Sequence, residues 1–172
     1  ESWQRSAASG VDADTVDAPI TLDSENLRDY RRAHRLAQVF PLLADVLGQA
    51  ARDCDTIMAV SDEAGQLLWV CGKPQVLREA EAIGFVEGSN WDERLAGTNA
   101  PGLALSTGRT ATVIGAEHFR TSVRPWSCAA TPTHDPLSAS LLGVLDITGR
   151  EAIAKPETVA LVGTDPNGTR FT

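Results

Sequence analysis

Two hydrophobic periods take turns along this chain. From Ser24, which reads as an N-cap with Glu25 in the first turn, Leu27, Tyr30, His34 and Ala37 recur at helical spacing. Leu42, Leu43, Val46, Leu47 and Ala50 repeat that spacing beyond Pro41, which either starts a second helix or kinks one long one. The pattern then tightens. T-I-M-A-V-S and Q-L-L-W-V-C, separated by D-E-A-G, predict a hairpin over Thr56 to Val70 with Gly65 in the turn. Val76 to Ile83 predicts a helix closed by Gly84. Ser89 or Asn90 is placed to cap a turn through Leu95, and Asn99 to cap a helix stopped by Gly108. Strands are predicted over Thr110 to Ile114, Trp126 to Thr131 and Ser140 to Ile147, with T-P-T-H-D-P as the turn between the last two. A last helix opens at Lys155 or Pro156 and runs through Val162.

This order predicts an α+β fold: a mostly antiparallel sheet of five to six strands with helices packed on it. Residues 1–23 are rich in Ser, Ala, Asp and Gly and read as an N-terminal arm. Trp3 stands out there and is expected to dock, on its own domain or on a partner. Residues 24–163 form the domain, and the turn-rich 164–172 a tail or linker. The chain starts at Glu1 without a Met and reads as a piece of something longer.

Charge narrows the function classes. Across 172 residues, 15 Lys and Arg against 23 Asp and Glu leave a net charge of −8, which repels phosphate backbones and anionic lipid. No nucleic-acid or membrane partner is expected for this chain itself. Arg28, Arg31, Arg32 and Arg35 cluster but fall on several sides of one helix, interleaved with Asp29, and read as a solvated face. No apolar run approaches the ~20 residues that span a bilayer, and no signal peptide is visible. The three Cys (Cys54, Cys71, Cys128) form no C-x-x-C pair, which fits free thiols in a reducing cytoplasm and offers no metal site. Neither a G-x-S-x-G elbow nor a glycine-rich phosphate loop occurs, so no catalytic set and no cofactor are expected.

The stretch from Trp91 to Cys128 mixes aromatic, small and hydrogen-bonding residues that no single period accommodates. We read it as one wall of a small-molecule pocket. Trp91, Phe119 and Trp126 offer flat apolar surface, with Cys128 beside them as a buried, inert thiol. His118 and Asn99 are the polar groups that would fix a ligand's orientation, against the plainer roles of loop-fixing and helix-capping. Asp146, in the apolar strand G-V-L-D-I-T-G, is costly unless paired, and is expected to face the lid and hold an N–H group there.

Several runs resemble a known family in order along the chain. They are S-W-x-R-S-x-x-x-G-V-D (Ser2 to Asp12), G-T-N-A (Gly97 to Ala100), G-A-E-H-F (Gly115 to Phe119), W-S-C-A-A-T-P (Trp126 to Pro132) and G-V-L-D-I-T-G (Gly143 to Gly149). Together they resemble the GAF domains of bacterial transcriptional regulators of the acetoin-catabolism-activator type. The resemblance implies a GAF fold with a pocket between sheet and lid helices, a sensory and non-catalytic role coupled to an output domain, and homodimerisation through the terminal helices. Two alternatives stay open: a haem, iron or thiol-based sensor using His118 and Cys128, and a GAF-type methionine sulfoxide reductase using cysteines. A dimerisation module with no ligand is a further alternative.

Overall fold

The computed structural model describes residues 1–150. The helix expected from Lys155 or Pro156, and the tail 164–172, lie outside the described residues.

Five strands form one antiparallel sheet: β1 (Ile57–Asp62), β2 (Leu67–Gly72), β3 (Ala111–Ile114), β4 (Ser127–His134) and β5 (Leu141–Gly149), in the spatial order β2-β1-β5-β4-β3. The helices are α1 (Ser2–Ala8), α2 (Ser24–Ala33), α3 (Phe40–Leu43), α4 (Gln49–Asp53), α5 (Pro74–Glu81), α6 (Glu93–Ala96) and α7 (Ala100–Thr107). This is the α+β plan of a GAF fold, with five strands. Among the described residues no helix is long and apolar enough to cross a membrane.

The apolar runs in β1 and β5 are nearly continuous because both sheet faces are covered. On one face Met58, Val60, Ala129 and Ile147 pack with Leu36 and Ala51 from the N-terminal helices. On the other, Ile57, Ala59 and Leu67 pack with Trp91, Trp126 and Ala80. Beside them Cys128, Ala130 and Val144 pack against Ala100 and Ala104 of α7.

The hairpin, the Asn99-capped helix and the five strands fall where expected. One open alternative, at Pro41, is decided and three details differ, each for a local reason. Asp23, not Ser24, caps α2; its Oδ1 accepts from the N–H groups of Glu25 and Asn26 at 3.1 and 2.9 Å. Pro41 starts α3, where its missing N–H costs nothing, and a single π-helical turn (Ala44–Gly48) joins α3 to α4. Asp92 caps α6, with Oδ1 accepting from Arg94 N–H at 2.8 Å, while Asn90 caps Asp92 in turn. Finally, Thr131 to His134 continue β4 rather than turning. Beyond Ala130 no β3 partner remains, so Pro132 puts its missing donor on a free edge while β5 pairs the other side. The turn falls instead at Asp135, whose Oδ1 accepts from Leu137 N–H at 2.7 Å.

Candidate functional site

The six residues singled out in sequence are all buried, and they fall into three neighbouring groups. Trp91 and Trp126 share one apolar cluster with Ile57, Ala59 and Val123. The indole N–H of Trp91 donates to Ser89 Oγ at 3.1 Å, and Phe85 meets its ring edge-on at 5.0 Å. The guanidinium of Arg150 lies 5.3 Å from the Trp126 ring centre.

His118 and Cys128 form the second group. β4 presents Cys128 on the α7 side of the sheet, and the short helical turn Gly115–Glu117 brings His118 onto it. The Gly115 carbonyl can only accept, so His118 Nδ1 carries the proton and donates to it at 3.0 Å. Nε2 is then the acceptor, and the Cys128 thiol lies 3.5 Å away as its donor. Burial pushes the thiol well up and the imidazole down from their ordinary values. The pair is therefore neutral, a thiol and an imidazole rather than a thiolate and an imidazolium.

Behind Cys128 stands a pair that sequence reading only half identified. Thr148 is the β5 partner of Cys128, and its Oγ1 donates to Asp146 Oδ2 at 2.5 Å. Asp146 is 1 % exposed, and its Oδ1 has no hydrogen-bond partner among the described residues. Burial raises its carboxyl to about 7, with the Thr148 bond opposing the rise. The result is a buried polar line from His118 through Cys128 and Thr148 to Asp146 beneath α7. Alternation along β5 was the available signal, since residues two apart share a face.

Asn99 and Phe119 make the third group. Asn99 caps α7, its Oδ1 accepting from Gly102 N–H at 2.8 Å, and its Nδ2 donates to the carbonyls of Trp91 (2.9 Å) and Gly97 (2.7 Å). Both amide donors are thus spent on backbone, joining α7 to the segment carrying Trp91. Phe119 packs at the edge of this region with Trp3, ring centres 5.4 Å apart and nearly perpendicular.

Trp3 belongs to α1, which lies across the lid. Its indole N–H donates to the Glu117 carbonyl at 2.6 Å, and Arg124 sits 5.7 Å from its ring centre. Arg5 bonds buried Glu93 of α6 through Nε and Nη2 at 3.0–3.2 Å, and Ser2 donates to the same carboxylate. Ser2 and Ser6 hold Thr98 Oγ1 between them at 2.6 and 3.1 Å. Ser2, Arg5 and Ser6 stand three and four residues apart, which places them on one helix face; that spacing was visible in S-W-x-R-S.

Of the basic cluster, Arg31 bonds Glu87 and the Leu68 carbonyl, Arg32 pairs with Asp29, and Arg35 reaches Asp135. Two surface clefts open nearby. One of about 390 Å³ lies against Val70, Leu77 and Phe85, and one of about 320 Å³ lies between Arg5, Glu93, Gly102 and Leu105. None of the six residues lines either cleft.

The profile of the MimR N-terminal domain family matches residues 1–168. An uncharacterized 47.3 kDa protein in the thcA 5' region of Rhodococcus erythropolis is 41 % identical over 94 % of this chain and 37 % of its own length. The acetoin dehydrogenase operon transcriptional activator AcoR of Bacillus subtilis is 32 % identical over 94 % of this chain and 27 % of its own. The propane 2-monooxygenase operon transcriptional activator MimR of Mycolicibacterium smegmatis is 31 % identical over 90 % and 26 %. The chain thus spans between a quarter and two fifths of the length of these relatives. Among solved structures, the Escherichia coli DhaR(N)–DhaL complex contains a chain that superposes with a TM-score of 0.82 at 23 % identity. It covers 94 % of this chain and 55 % of that one, a likeness of fold.

Proposed function

This chain belongs to the MimR N-terminal domain family, and on that premise we propose that it is the non-catalytic sensory part of a transcriptional regulator, binding a small organic ligand between sheet and lid. The observation that carries this reading is the line of buried polar side chains, His118 to Asp146, set into an otherwise apolar seam under α7. A core built only for stability gains little from burying a carboxylate with an unbonded oxygen, whereas a binding site needs a few polar groups in an apolar wall. Trp91, Trp126 and Cys128 supply wall in this reading. His118 and Asn99 act on the ligand indirectly, by fixing the loop and the lid helix, and Phe119 joins that region to α1.

Binding would favour one placing of α6 and α7. Through Glu93 and Thr98 that placing reaches α1, which would pass it on to the output domain. A coupling of about 1–3 kcal/mol is typical of such linkage. The second copy is proposed to dock on Val39, Leu42 and Val46, which are exposed along one side of the N-terminal helices. The acidic chain makes no nucleic-acid contact of its own in this scheme, and it works in the cytoplasm.

Native mass spectrometry of the purified chain, joined to a thermal-shift screen of small metabolites, tests this. The expected outcome is a dimer and a compound that raises the melting temperature and changes Trp fluorescence, with the fluorescence response lost in Trp126→Ala. No stabilisation by any compound and no co-purified molecule would leave a dimerisation module. A thiol-based reading finds one favourable contact, His118 with Cys128, but burial pushes the thiols of Cys71 and Cys128 up, away from the reactive thiolate.

A further inference from the structure

Asp146 lies at the middle of the sheet, between Ala59 of β1 and Ala130 of β4. On the layer above, α7 presents Ala100 and Ala104 to the same side. The carboxylate is buried, and these alanines offer it no donor. One oxygen is bonded by Thr148; the other has no partner among the described residues. A buried acceptor left unbonded is costly, and natural structures retain one where a water, an ion or a ligand completes it.

We infer that Asp146 is the specificity-determining residue of the lid-side site, and that its free Oδ1 accepts a hydrogen bond from the hydroxyl group of a small, uncharged ligand. This inference rests on the ligand-sensing reading above and narrows it to a chemical class.

Counting donors and acceptors selects the hydroxyl. An alcohol brings one O–H, which the single open oxygen satisfies. A primary ammonium brings three N–H donors. Alanines line the rest of the site and offer no acceptor, so an ammonium would bury its charge and leave N–H groups poorly bonded. An anionic ligand would meet a carboxylate and find the buried Trp91 N–H already given to Ser89. An ether or a hydrocarbon of the same shape would fill the seam and leave Oδ1 unbonded. The two tryptophans and the alanines then select size and shape, while Asp146 selects the donor.

Isomer pairs separate these contributions. The probes are 1-butanol with methyl propyl ether, and benzyl alcohol with anisole, together with butylamine. Affinities are read from NMR titration of the Trp indole N–H signals of the 172-residue chain at pH 7.5. In at least one pair the alcohol is expected to bind about tenfold tighter than its ether or more, and tighter than the amine. Asp146→Ala is expected to bring alcohol and ether to equal affinity by weakening the alcohol alone. Equal affinities in the wild-type protein, a preference that survives in Asp146→Ala, or tightest binding by butylamine would each overturn the assignment while leaving ligand sensing intact. Binding of no probe in any pair would overturn the assignment, and ligand sensing would then be decided by the metabolite screen and native mass spectrometry alone. The wild-type comparison needs no variant, so it decides even if Asp146→Ala does not fold.

Discussion

The Asp146 carboxyl group has a consequence for stability as well as for binding. Its value in the folded chain is about 7, against an ordinary 3.8. The folded state therefore holds a proton that the unfolded state has released. The favourable contribution is complete below about pH 4 and is lost as pH rises through about 7. At 1.36 kcal/mol per pH unit the difference amounts to about 4 kcal/mol at most. Asp146→Asn keeps the shape without the charge. It is expected to gain stability relative to the wild type by a few kcal/mol at pH 8 (about 3), and to show little gain at pH 4. Urea unfolding at both pH values measures this, and a gain equal at the two would refute it. The carboxylate was legible in the sequence as an oddity within an apolar strand. Its Thr148 partner was available from the alternation along β5; its open oxygen was not, because that depends on which lid residues come to rest above β5. Asn99 was legible in full as a cap, but its two bonds to the Trp91 and Gly97 carbonyls need the tertiary fold.

At the scale of elements, the N-terminal residues read as an arm because Ser, Ala and Gly dominate them and no apolar stripe runs through. The residues that fix α1 are polar, and they become meaningful only against α6. Glu93 is buried, and it is held by Arg5 and Ser2. Removing one partner of such a pair costs more than removing the charge itself. Arg5→Ala is expected to lower stability by about 2 kcal/mol, and adding Glu93→Gln to restore about half of that. Chemical denaturation of the two variants and the wild type reads both steps. If the second substitution makes matters worse, Glu93 is stabilised chiefly by something other than α1. The β4 boundary was misread for a related reason. Pro132 stops a strand only when both its edges are paired, and pairing partners are not written in a local run of residues.

At the scale of the molecule, the sheet depends on how closely β1 and β5 approach. A side-chain carbon on Gly143 would lie 1.9 Å from the Ser61 carbonyl oxygen, and the backbone there has φ of +155°. Gly143→Ala is expected to cost about 3 kcal/mol or more, since backbone, not a flexible side chain, is what the new carbon meets. A melting temperature within a degree or two of the wild type would show that the strands part more easily than this.

The strand order also sets a timetable. β5 is the last strand among the described residues, yet it lies at the centre of the sheet, with Ile57 of β1 opposite Thr148. During synthesis β1 and β2 leave the ribosome as a hairpin with only the N-terminal helices to pack on, and a hairpin is marginal by itself. Ile57 and Ala59 on the other face, and the β1 edge that pairs with β5, wait exposed until some eighty further residues have been made and the loop between can close. Nascent chains that stall before Leu141 hold every helix described here and no completed sheet. Holdase chaperones and proteases would act on such chains, and the sheet is complete only when β5 slides into the middle.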